Sequence, residues 1–176
     1  MEVAIRNRQR GRRIDVRRLR ELTEALVRDE LALTEVALGI HLIGARRMAV
    51  LNRHWLGHEG STDILTFDHS EAGGGDAGRG AGRVAARART RRRGPRPLHG
   101  ECFISVDDAV RQAREFGTSP ALEVVRYVVH GVLHLLGYDD LEAGARRVMK
   151  QAENRLVRRL AARGSLGRLV GVGRRG

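Results

Sequence analysis

The most constraining feature of this chain is an almost wholly apolar segment at residues 121–136, ALEVVRYVVHGVLHLL. Ser119 and Pro120 precede it and Gly137 follows it, and these residues are typical of the N-cap, the first position and the C-terminal end of a helix. The predicted helix is apolar around most of its circumference. It must therefore be buried, with other elements of the fold packed around it.

Two histidines interrupt the apolar surface of this helix. His130 and His134 are four residues apart, which places their side chains on one face with Cβ atoms about 5–6 Å apart. Imidazoles at this separation can share a metal ion, and Asp140, just beyond Gly137, is the expected third ligand. Three protein ligands leave a fourth position for water, as in catalytic zinc sites. The alternative is a chance pair, but buried imidazoles need polar partners, and a metal ion supplies them.

The rest of the pattern predicts an α+β fold, because strands and helices are both present without strict βαβ alternation. We expect a small mixed sheet of about four strands with about five helices. The predicted strands are at residues 2–7, 35–43, 62–68 and 101–106, and the predicted helices are at residues 15–31, 45–55, 107–116, 120–136 and 142–162.

The length of 176 residues fits one domain, and we predict a single domain over residues 1–160. The N-terminus, MEVAIRNRQR, lacks the apolar stretch of a signal peptide, and no apolar run approaches the roughly 18–20 residues that span a bilayer. We therefore expect a cytoplasmic, monomeric protein with no membrane partner. The single cysteine, Cys102, excludes an internal disulfide and a multi-cysteine zinc module.

The net charge of +12 is concentrated in two short segments. Residues 70–99 carry +6 and residues 161–176 carry +4, whereas residues 100–160 are neutral. Both charged segments are rich in glycine and arginine with little to bury, so we predict a flexible Arg-rich loop at 70–99 and a disordered basic tail at 161–176. They are either phosphate-binding arms or low-complexity sequence without a function.

The segment HGVLHLLGYDD at residues 130–140 resembles the motif H-G-x-L-H-L-x-G-Y-D-H of the YbeY-type endoribonucleases, the rRNA maturation factors of bacteria. Leu51-Asn52, the stretch TDILTF at residues 62–67 and the stretch GECFIS at residues 100–105 resemble further blocks of that family in order and spacing. The resemblance covers roughly residues 1–160. It implies a single metal-dependent hydrolase domain of the α+β class over residues 1–160. One Zn²⁺ ion would lie in its zincin-like metal cleft, and the protein would act on rRNA and in ribosome quality control.

Two positions depart from the family pattern. The third ligand is usually histidine, and here it is Asp140; a carboxylate still binds zinc but makes a harder site that is less selective among divalent ions. Leu56 stands where the family usually has an arginine important for activity, and leucine cannot bind a phosphate. Arg53, His54 and His58 are the nearby candidates to replace it.

The resemblance implies a zinc-dependent, single-strand-specific endoribonuclease that matures the 3′ end of 16S rRNA and has the small ribosomal subunit as its partner. Asp139 is the candidate catalytic group, although it can equally orient a histidine or cap a backbone N–H. A non-catalytic ribosome- or RNA-binding module with a structural metal is the alternative. A zinc metalloprotease is another, but Gly131 stands where such enzymes carry a catalytic glutamate. The candidate RNA-binding residues are Arg53, His58, Arg91, Arg92 and Arg93.

Overall fold

A computed structural model describes residues 1–70, 97–164 and 166–171 of the chain. In these residues the secondary structure comprises six strands and five α-helices, and a π-helical turn at Leu26–Glu30 continues the first helix. The strands are β1 (Glu2–Asn7), β2 (Arg13–Ile14), β3 (Val36–Ile43), β4 (Ile64–Asp68), β5 (Leu98–Ser105) and β6 (Val170–Gly171); the helices are α1 (Val16–Ala25), α2 (Ala45–Leu56), α3 (Val106–Glu115), α4 (Pro120–Leu135) and α5 (Ala143–Ala162).

The main sheet has four strands in the order β1-β3-β5-β4. Strands β1, β3 and β5 are parallel, and β4 pairs antiparallel with β5 at the edge. Leu38, Ile40 and Leu42 of the central strand β3 are buried on one face, as expected for alternate residues of a strand. This mixed sheet with five helices confirms the predicted α+β class.

Helices cover both faces of the sheet, and the two faces bury cores of different size. Helices α1, α4 and α5 contribute to the larger core together with inward residues of β3 and β5. Helix α2 covers the opposite face, where Met48 packs with Ile43 and Leu65 in a smaller core. The predicted buried helix is α4, and its residues from Ala121 to Leu135 are mostly inaccessible to solvent.

Helix α4 approaches the sheet closely at Gly131. A Cβ atom there would lie 2.5 Å from Cδ1 of Ile64 on β4 and 2.8 Å from Sγ of Cys102 on β5. Real Cβ atoms do not make contacts this short, so a side chain at this position would push the helix away from the sheet. Glycine therefore fixes the depth of α4, while the two histidines lie on a different side of the same helix.

The structure differs from the sequence prediction at several element ends. Strand β5 begins at Leu98 rather than at residue 101, because Leu98 is buried and its N–H donates to the Glu35 carbonyl at 2.8 Å. In the predicted tail, β6 pairs with β2, and Leu169 is buried in the larger core. The apolar residues Leu169 and Val170 explain why this stretch packs onto the body despite its glycines and arginines.

The predicted Arg-rich loop falls mainly on residues 71–96, which lie outside the described residues, and so do Arg91, Arg92 and Arg93. The division into one domain, a loop and a tail stays a prediction. In the described parts of the chain, no helix is both long enough and apolar enough to cross a membrane.

Candidate metal centre

The three predicted metal ligands lie together at the C-terminal end of α4. The Nε2 atoms of His130 and His134 are 3.0 Å apart, and each is 3.8 Å from Oδ2 of Asp140. Among the described residues, this is the only group of three or more histidine, cysteine or acidic side chains close enough to share an ion. The side chains are partly buried, with exposed fractions of 22%, 12% and 38%, so the site opens to solvent on the Asp140 side.

In each of the two histidines, the hydrogen-bond partner of Nδ1 determines which ring nitrogen carries the hydrogen. Nδ1 of His130 lies 2.9 Å from Oε2 of Glu153, and Nδ1 of His134 lies 3.1 Å from the Tyr138 carbonyl. Both partners are acceptors, so both Nδ1 atoms donate. The two Nε2 atoms of the neutral rings are then acceptors that face each other across 3.0 Å, and neither can satisfy the other. A cation between them would satisfy both.

The donor set fits a zinc ion. Bonds of 2.0–2.1 Å that meet at the tetrahedral angle separate two ligand atoms by roughly 3.3 Å, which lies between the 3.0 Å and 3.8 Å separations found here. Two imidazoles and one carboxylate form a common catalytic zinc set. Burial and the neighbouring His130 lower the pKa of His134, which favours the neutral ring that a metal requires.

Glu153 on α5 is the buried support of the centre, and the sequence analysis did not identify it. Its side chain is only 3% exposed, and its carboxylate accepts from His130, from Arg126 Nη1 at 2.8 Å and from Lys150 Nζ at 2.9 Å. Burial alone raises the pKa of Glu153, but these three donors outweigh it and lower the pKa to about 2. The available signal was one acidic residue on the otherwise apolar face of α5, between Met149 and Leu156.

The loop after α4 brings Asp140 back towards the histidines. Gly137 has a φ of +89°, a conformation that glycine adopts readily, and the Tyr138 N–H donates to the Leu133 carbonyl at 3.0 Å. This reversal places the Tyr138 carbonyl against His134. Asp139 accepts the Leu141 N–H through Oδ1 at 3.0 Å, which favours its role as a backbone cap over that of a general base.

The other predicted site residues lie on a different part of the fold. Arg53 is exposed on α2, and His58 is exposed in the loop that follows that helix. Helix α2 covers the sheet face opposite α4, so the structure does not join these residues to the metal ligands. Leu56 packs against the smaller core, an apolar contact in place of a phosphate ligand.

Comparisons with known proteins find relatives that cover most of the chain. The model of the family described as Endoribonuclease YbeY matches residues 4–161. Relatives that bear the name Endoribonuclease YbeY include one from Anaeromyxobacter sp. (strain Fw109-5), which is 35% identical over 142 residues, 81% of this chain and 63% of its own length. Another, from Anaeromyxobacter dehalogenans, is 35% identical over 90% of this chain and 70% of its own length. A relative from Thermus thermophilus is 33% identical over 86% of this chain and 97% of its own length.

Among solved structures, the solution structure of TM1509 from Thermotoga maritima matches 92% of this chain and 91% of its own chain with a TM-score of 0.58. At 21% identity, this likeness concerns the fold alone.

The chain spans less than two thirds of the length of the first Anaeromyxobacter relative but nearly all of the length of the Thermus relative. The extra length of the longer relatives lies outside the part that matches the α+β body.

Proposed function

The chain belongs to the Endoribonuclease YbeY family, and from this premise we propose that it is a metal-dependent endoribonuclease whose centre is His130, His134 and Asp140. The family model supports this proposal over residues 4–161, a range that contains every ligand and the supporting Glu153. The name carried by the relatives supports RNA as the substrate and phosphodiester cleavage as the reaction.

One observation carries the proposal, namely the two acceptor nitrogens that converge at 3.0 Å beside a carboxylate. His130, His134 and Asp140 would hold a divalent ion there, and that ion would supply Lewis-acid chemistry and lower the pKa of a water molecule. Glu153 holds the His130 ring by accepting from Nδ1, and the Tyr138 carbonyl holds the His134 ring in the same way. These outer partners keep both Nε2 atoms aimed at one point.

We propose zinc as the ion because two nitrogens and one oxygen match its usual catalytic set. The proposal extends to single-stranded RNA, the 3′ end of 16S rRNA and ribosome quality control, with the small ribosomal subunit as partner. It also includes a cytoplasmic location and a monomeric state. These finer assignments are supported by the resemblance of residues 130–140 to the family motif and by its blocks at residues 51–67 and 100–105.

Two observations bear on the alternative functions. A protease of the H-E-x-x-H type needs a glutamate after the first histidine. Here that position is Gly131, where a Cβ atom would lie within 3 Å of Ile64 and Cys102, so there is no room for a glutamate side chain. The packing of Leu56 in the smaller core favours the other alternative, a non-catalytic ribosome- or RNA-binding module with a structural metal, because the phosphate ligand expected at position 56 is missing.

The test is a comparison of His134→Ala with His99→Ala, which removes an exposed histidine of β5 outside the centre. We expect wild type and His99→Ala to contain about one zinc ion and to cleave a single-stranded fragment from the 3′ end of 16S rRNA, with the cleavage abolished by a chelator. His134→Ala is expected to lose both the metal and the cleavage. Cleavage at the wild-type rate by metal-free His134→Ala would refute the mechanism, and RNA binding without cleavage by wild type would favour the non-catalytic module.

A further inference from the structure

A basic, solvent-open depression, here called the α5 groove, lies along the exposed side of α5. It has a volume of about 370 Å³ and is lined by Ala143, Arg146, Arg147, Lys150, Gln151 and Asn154. Three of these six side chains are cationic and none is acidic. We propose that this α5 groove binds the phosphates of single-stranded RNA next to the scissile bond, an inference that rests on the proposed function.

The groove is connected to the metal centre through shared side chains. The Lys150 ammonium and the His130 ring bind the two oxygens of the same Glu153 carboxylate, each at 2.9 Å. Arg146 donates to the Asp140 and Leu141 carbonyls at 2.8 and 3.0 Å. One carboxylate therefore separates the groove from one metal ligand, and one guanidinium joins it to the loop that carries another.

Part of the charge of the groove is available to a ligand, since Arg146 and Lys150 already have partners. Arg147 is exposed and makes no hydrogen bond or ion pair with any residue in the part of the chain that the structure describes. Lys150 is 58% exposed although it pairs with Glu153. The groove lies in the N-terminal half of α5, whose N-cap residue is Glu142 and makes no side-chain cap hydrogen bond. An acidic N-cap offsets the partial positive charge of the helix N-terminus, so the positive charge of the groove comes from its side chains.

These features fit a phosphodiester chain better than other anionic partners. A run of cations along one helix side matches repeated charges along a strand, and guanidinium groups bind phosphate oxygens in a paired geometry. Gln151 and Asn154 add uncharged donors of the kind that contact phosphates and sugars. The occupant is therefore a single-stranded RNA backbone that extends from the metal centre along α5.

The experiment compares Arg147→Glu with Arg155→Glu, the same charge change on an exposed arginine about two turns further along α5 that does not line the groove. Among the described residues, neither arginine forms a hydrogen bond or ion pair with a metal ligand or with Glu153. Binding of a fluorescein-labelled single-stranded RNA to the full, zinc-loaded chain is followed by anisotropy between 50 and about 200 mM KCl, and the RNA is checked for integrity on a gel. Zinc content and hydrolysis of bis(4-nitrophenyl) phosphate are measured in parallel.

We expect Arg147→Glu to weaken RNA binding about tenfold at 50 mM KCl and to reduce the salt slope by about 0.7 or more, while Arg155→Glu stays within about twofold of wild type. Zinc content and hydrolysis of the small substrate should be unchanged in both. Equal effects of the two variants, or no binding of RNA by wild type, would refute the proposal that the α5 groove binds RNA. A competition with polyglutamate at the same total charge as the RNA tests an acidic protein as the partner. If polyglutamate displaces the RNA from wild type but not from Arg147→Glu, the RNA proposal is refuted in favour of an acidic protein partner. Normal binding with no cleavage by wild type would refute only the proposed function.

Discussion

The replacement Glu153→Gln tests whether the carboxylate on α5 sets the geometry of the metal centre. Glutamine has nearly the same shape, but it offers one acceptor oxygen to three donors, namely His130, Arg126 and Lys150. Its amide group can also donate to Nδ1 of His130. That hydrogen bond would move the ring hydrogen to Nε2, where it blocks metal binding.

The magnitude follows from the pKa of Glu153, which the three donors lower from 4.5 to about 2 against the opposing effect of burial. A lowered folded-state pKa stabilises the protein above the ordinary pKa, and this contribution is lost as the pH falls through the folded value. At pH 7 the lowered pKa of Glu153 contributes about 3 kcal/mol to the free energy of unfolding. Glutamine at position 153 keeps one acceptor oxygen and therefore only the part of this contribution that comes from one hydrogen bond. We therefore expect Glu153→Gln to lower the free energy of unfolding of the metal-free protein by about 2 kcal/mol.

The effect on metal binding distinguishes a role of Glu153 in orienting the His130 ring from a general loss of protein stability. Loss of an outer partner of a histidine ligand commonly weakens metal binding 10- to 100-fold, so we expect a decrease of roughly that size in zinc affinity, measured by competition with a chromophoric chelator. The control is Glu123→Gln, because Glu123 is also 3% exposed and also pairs with Arg126, but its contacts do not include the histidines. Urea unfolding of both metal-free variants gives their stabilities. A zinc affinity for Glu153→Gln within threefold of that for Glu123→Gln would refute the reasoning.

Three further predictions follow from other contacts. Gly131→Ala should lower the free energy of unfolding by about 1–3 kcal/mol in urea, since its methyl group would overlap Sγ of Cys102, and an unchanged midpoint would contradict the packing. Asp140→His should increase the preference for Zn²⁺ over Mn²⁺ in a competition titration, because imidazole is a softer ligand than carboxylate; an unchanged ratio would show that Asp140 is not a ligand. Glu30 has a pKa lowered by hydrogen bonds from Arg159 and Arg163, so Glu30→Gln should destabilise the protein at pH 7 and lose this effect as the pH falls through the lowered folded-state pKa of Glu30, as measured by thermal unfolding in a pH series.

The sequence predicted the parts of the fold and site that depend on local pattern. Helix α4 was located because its apolar run is bounded by a cap and by Gly137, and its two histidines share a face at any i,i+4 spacing on a helix. Asp140 followed from the glycine, which lets the chain reverse. These features are fixed within about twenty consecutive residues, so no tertiary information was needed to find them.

The contacts that the sequence could not predict join residues far apart in the chain. Glu153 is 23 residues from His130, and its role depends on how α5 crosses α4, which no periodicity specifies. The pairing of β2 with β6 joins residues 13–14 to residues 170–171 through strands too short to show an alternating pattern. The opposite positions of α2 and α4 on the sheet likewise separate Arg53 from the centre, although both segments belong to the same family pattern.

The fixed depth of α4 connects the packing of this fold to its chemistry. Gly131 allows α4 to lie against Ile64 and Cys102, and on another side of the same helix the His130 ring lies 2.9 Å from the Glu153 carboxylate of α5. A larger residue at position 131 would move the helix outward and strain the 2.9 Å contact that orients the ring. The presence of glycine at position 131 therefore has a structural reason that does not depend on any catalytic role. The space that a glutamate side chain of a protease would need there is filled by the core.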